Sequence, residues 1–104
     1  MEIKMVKLQT EALTRLYKAI VALETEEECA AFLEDICTIK ELQDISQRLQ
    51  VAAMLSSGAN YQEVSGETGA STATICRVNK CLLYGGGGYK KVLEKAGLID
   101  GKSE

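Results

Sequence analysis

The stretch that decides the fold reads YQEVSGETGASTATICRVNK, from Tyr61 to Lys80. Asn60 precedes it, and Glu63 follows three residues later, a capping pattern that opens a short helix. Gly69 ends that helix, since the tight turn there needs a residue comfortable at positive φ. Ser71 then caps a second helix running to about Leu83. Val64, Thr68, Ala70, Ile75 and Val78 fall where two helices crossing at a wide angle must touch, and Ser65 is small at their closest approach.

Setting the inward positions aside leaves Ser71, Thr72, Ala73, Cys76, Arg77 and Lys80 on the outward face of the second helix. Short groups stand near its N-terminus and cations further along, which suits a DNA major groove. Threonine and alanine touch a thymine methyl, and Arg or Lys takes guanine or phosphate. Gln62 and Ser71 add contacts to the DNA backbone. The expected partner is double-stranded DNA, read by a helix-turn-helix over about 61–80. The same pattern also fits a plain corner between two helices in an α-bundle that never meets DNA.

Working outward, the chain reads as helices. Proline is absent, aromatics are few, and no run alternates apolar with polar at period two. Val6, Leu13, Leu16, Ile20 and Leu23 recur at helical spacing and predict a first helix over about 4–23. Thr25 with Glu28 predicts a capping box opening a second helix, with Cys29, Phe32, Leu33, Ile36 and Cys37 as its stripe. Thr38 with Glu41 repeats the device and opens a third, whose C-terminal half is apolar almost all round and is expected to be buried on several sides. Ser57-Gly58 ends it. Beyond the decisive stretch, Gly85 to Gly88 form a flexible connection, and Tyr89, Val92, Leu93 and Ala96 mark a sixth helix ended by Gly97. The glycine run lacks the G-x-x-x-x-G-K-[ST] pattern and preceding strand of a nucleotide site.

A chain of 104 residues suffices for a single domain over 1–104, burying roughly 60 to 70 per cent of the unfolded surface. The N-terminal sequence carries no apolar run long enough for a signal peptide or membrane span, so the expectation is a cytoplasmic protein with no membrane partner. With no histidine, Ser-His and Cys-His catalysis is excluded, and no constellation of carboxylates and cysteines supports an enzyme. Cys29, Cys37, Cys76 and Cys81 show no C-x-x-C spacing, so they read as small apolar residues in a reducing compartment, with neither metal nor cofactor expected.

A net charge of −3 argues against nucleic acid, but its distribution argues for it. Residues 1–67 carry 6 basic and 12 acidic side chains, whereas residues 68–93 carry 4 basic ones, Arg77, Lys80, Lys90 and Lys91, and no acidic ones. Positive charge is concentrated where a DNA-facing helix is expected.

Two stretches, GASTATICRVNKCL followed by Leu83 and YGGGGY at residues 69–89, and TIKELQDISQRL at residues 38–49, resemble the Trp-repressor-like YerC/YecD family. The resemblance covers about residues 6–96, and the more distant Trp repressor matches chiefly over Gly69 to Arg77. It implies an all-α, six-helix protomer intertwined with a second one as a two-fold homodimer. Two reading heads held roughly 34 Å apart would then meet a pseudo-palindromic operator. It also implies an effector pocket at Arg48, Arg77, Val78 and Cys81, since the repressor holds tryptophan between two arginines matching Arg48 and Arg77. The repressor has glycine directly after the recognition-helix arginine, leaving space for the indole, whereas this chain has Val78. The branched side chain is expected to fill that space, so tryptophan is not the expected effector and Arg77 serves phosphate, an acidic side chain or another ligand. For Arg48 a surface salt bridge, to Asp44 or a neighbour, is the alternative. The rival to a DNA-binding regulator is a dimeric helical protein-interaction module that keeps the corner, favoured by the overall acidity.

Overall fold

Thr10 is extended, at φ −110° and ψ 176°, and its hydroxyl accepts from the backbone N–H of Leu13 at 3.3 Å. That cap starts helix α1, Glu11–Val21, later than the predicted start near residue 4. A threonine that bonds its own downstream backbone offers the chain an alternative to continuing a helix through it. The computed structural model describes residues 10–99, so Val6 and the rest of the predicted first turn lie outside the described residues.

Helix α2, Glu26–Ile36, is capped by Thr25, whose Oγ1 accepts from the Glu28 N–H at 3.0 Å. The reciprocal half of the predicted box lands elsewhere: the Glu28 carboxylate accepts from the N–H of Glu24, at 2.8 Å. Helix α3, Ile39–Ser56, begins directly after Thr38. Gly58, at φ +97°, closes it. The N–H of Ala59 reaches the Met54 carbonyl at 3.0 Å and that of Gly58 the Leu55 carbonyl at 3.0 Å, so carbonyls otherwise orphaned at a helix end are satisfied.

Helices α4, Tyr61–Thr68, α5, Thr72–Tyr84, and α6, Gly88–Lys95, complete six helices with no strand among the described residues. The chain divides after Ile39 into two compact units. In the first, α1 and α2 bury no residue fully, and Tyr17, Ile20, Val21 and Ile36 are exposed. In the second, Val51 and Ala52 of α3, Val64 of α4, Ala70 of the turn that follows it, Ile75 and Val78 of α5, and Leu93 of α6 form one buried cluster. Of the C-terminal half of α3, expected to be buried on several sides, Val51 and Ala52 are fully buried, and Ala53, Met54 and Leu55 are half-buried within the chain. On α6, Leu93 is buried and Tyr89 half-buried, while Val92 and Ala96 are exposed.

The glycine run is more specific than the flexible connection expected. A Cβ at Gly85 would stand 2.5 Å from the carbonyl oxygen of Cys81, and Gly87 sits in the left-handed region at φ +87°. Two of the four glycines thus hold positions that a side chain would disturb.

Candidate nucleic-acid interface

The corner that presents the candidate interface is fixed by short polar bonds. Asn60 Oδ1 accepts from the Glu63 N–H at 2.8 Å, and Glu63 Oε1 accepts from the Asn60 N–H at 2.9 Å, a complete capping box for α4. Gly69, at φ +75°, ends α4 and donates its N–H to the Ser65 carbonyl at 2.8 Å. Thr68 Oγ1 donates to the Val64 carbonyl at 2.7 Å and accepts from the Ala70 N–H at 3.0 Å. Ser65 Oγ donates to the Ala70 carbonyl at 3.3 Å, which gives the small residue at the helix approach a bonding role as well. Ser71 Oγ accepts from the Thr74 N–H at 3.1 Å and starts α5 two residues beyond the turn.

The inward set predicted from spacing lies inward: Val64, Ala70, Ile75 and Val78 are buried and Thr68 is half-buried. With α4 and α5 joined through apolar contact, the remaining side chains of α5 are presented together. Ser71, Thr72, Ala73, Cys76, Arg77 and Lys80 are all exposed. At 3.6 residues per turn the five on the helix proper span about 140° of its surface. Gln62 is exposed on α4. No carboxylate lies on α5, and among the described residues neither Arg77 nor Lys80 forms an ion pair, so their charge is available to an outside anion.

The residues predicted to line an effector pocket are placed differently from one another. Val78 is buried in the core cluster, while Arg77 and Cys81 are exposed one helical turn apart. Arg48 is half-buried on α3 and forms no ion pair among the described residues; Asp44 instead pairs with Lys40 at 3.4 Å. The four cysteines are free, Cys29 and Cys37 half-buried and Cys76 and Cys81 exposed. No helix among the described residues is long and apolar enough to cross a membrane.

One contributor has no signature in the local sequence. Gln47 Nε2 donates to the Thr68 carbonyl at 3.1 Å, tying α3 to the end of α4 across 21 residues. A lone glutamine on a mixed helix face carries no mark of such a partner.

The Trp repressor protein family matches residues 11–97. The uncharacterized protein YerC of Bacillus subtilis is 47% identical over 89 residues, covering 86% of each chain. Among solved structures, a TrpR-like protein from Eubacterium eligens superposes with a TM-score of 0.85 at 46% identity, over 90% of this chain and 97% of that one. A Staphylococcus aureus protein put forward as a Trp repressor gives a TM-score of 0.85 at 45% identity, over 93% and 95% respectively.

Proposed function

This chain belongs to the Trp-repressor-like family that includes YerC, and on that premise we propose that it is a sequence-specific DNA-binding regulator of transcription, most simply a repressor. The observation that carries the reading is the exposed face of α5, with Thr72, Ala73 and Cys76 nearest its start, Arg77 and Lys80 behind them, and no carboxylate on the helix. Helices α4 and α5 act as a helix-turn-helix, with α5 entering the major groove. Ser71 and Gln62 contact the phosphate backbone. The reading takes the chain as one domain.

The protein works as a homodimer on a pseudo-palindromic site. Support comes from helices that lack a full apolar partner within the chain: α1 and α2 bury nothing completely, and the apolar end of α3 stays half-open. On this reading tryptophan is not its effector, since the resemblance puts the branched Val78 where the repressor has glycine. Arg77, with Arg48 and Cys81, is left for phosphate or another ligand.

Selection of bound sequences from a random duplex pool tests the proposal. A two-fold-related site should be enriched, with binding abolished by Thr72→Glu or Arg77→Glu and falling steeply with salt. Absence of enrichment at low salt would leave the protein-interaction reading in its place.

A further inference from the structure

Helices α4 and α5 are held to one another by bonds inside their corner, and two attachments of a different kind hold that corner on α3. Val51 and Ala52 of α3 join Val64, Ala70, Ile75 and Val78 in the buried cluster. One turn before Val51, on the same face of α3, Gln47 Nε2 donates to the Thr68 carbonyl at 3.1 Å. Apolar contact stabilises without direction, so two short side chains alone leave the corner free to roll against α3. A hydrogen bond fixes both a distance and an angle.

The bond grips the corner where movement would be passed on. Thr68 is the last residue of α4, and Ser71, three residues later, caps α5. Both polar groups of the intervening Ala70 backbone are tied back to α4: its N–H donates to Thr68 Oγ1 at 3.0 Å, and its carbonyl accepts from Ser65 Oγ at 3.3 Å. The Ala70 side chain is buried as well. The turn therefore does not act as a hinge, and a shift at Thr68 reaches Thr72 and Ala73 at the start of α5.

We propose that Gln47 is a positioning residue for DNA recognition: acting through Thr68, it sets the angle of α5 against α3 and thereby, in the dimer, the separation of the two reading heads. The proposal rests on the DNA-binding reading and extends it to a residue outside the helix-turn-helix. Without the bond, the orientation that fits the operator becomes one of several, and apparent affinity falls with the fraction of molecules that hold it.

Gln47→Met and Gln47→Glu, which both lack the N–H, test it in the full chain at temperatures well below unfolding. Residual dipolar couplings of the backbone amides report the angle with no DNA present. In the unaltered protein α3, α4 and α5 should fit one alignment tensor; in both variants α4 and α5 should still fit together but no longer with α3. On the operator selected by the unaltered protein, each variant should bind about fivefold or more weakly, the size of restraint that a single hydrogen bond supplies. Preference for that operator over one with its half-sites moved apart by one base pair should narrow, while affinity for non-specific duplex and its salt slope stay unchanged. Couplings in Gln47→Met that still fit one tensor with α3 overturn the proposal, as does an undiminished spacing preference. Should the unaltered protein select no two-fold site while the couplings of the variants diverge, the DNA reading fails and the hold of Gln47 on α5 stands.

Discussion

Gln47 and Thr68 are joined by a side-chain amide to carbonyl hydrogen bond of 3.1 Å, which anchors the last residue of α4 to the middle of α3. The last carbonyls of a helix have no partner within it, and Thr68 is half-buried, so this bond satisfies a group that water reaches poorly. Replacing Gln47 with methionine keeps the packing and removes the donor. The expected loss is about 1 kcal/mol, read as a lower urea midpoint at unchanged slope. An unchanged midpoint would show that water replaces the bond at no cost.

Gly85 and Gly86 are neighbours with opposite requirements. A Cβ at Gly85 meets the Cys81 backbone oxygen at 2.5 Å, whereas one at Gly86 meets nothing within 4 Å. Gly86→Ala should therefore leave stability unchanged or raise it by about 0.5 kcal/mol through the unfolded chain. Gly85→Ala must displace the end of α5 and should lower the thermal midpoint. Equal effects of the two substitutions in a thermal melt would show that the connector has no fixed path.

The corner between α4 and α5 was legible because its signals are local: a capping box within four residues, a glycine at the turn, and buried positions at helical spacing. The exposed face of α5 followed by subtraction. What stayed illegible depends on distance along the chain or on space. The Gln47 bond spans 21 residues, and the close approach of Gly85 to Cys81 is a matter of backbone path that a run of glycines does not reveal. The start of α1 is hidden for a different reason, since the apolar stripe of the sequence continues upstream of Thr10 while the threonine side chain caps the helix there. Periodicity marks a face, and a capping side chain decides where the face begins.

Val78 is buried in the core cluster with Val51, Val64 and Ile75. Val78→Ala should cost about 2 kcal/mol, the transfer term for the lost methyl groups plus that of the cavity left behind. Calorimetry on the unaltered protein should register no saturable heat with tryptophan. Tight, saturable binding would mean that the indole finds another seat and that Val78 does not exclude it.

Ser71 has two roles that substitution can separate. Its hydroxyl caps α5 through the Thr74 N–H, and its exposed position places it at the edge of the proposed DNA face. Ser71→Ala removes the cap and should cost about 1 kcal/mol. Ser71→Asp keeps an oxygen acceptor at a position where aspartate caps as well as serine does, so stability should be retained. Its carboxylate would nevertheless face the phosphates, and affinity for the selected operator should fall. A Ser71→Asp protein that melts like the parent yet binds that operator undiminished would place the DNA backbone away from the start of α5.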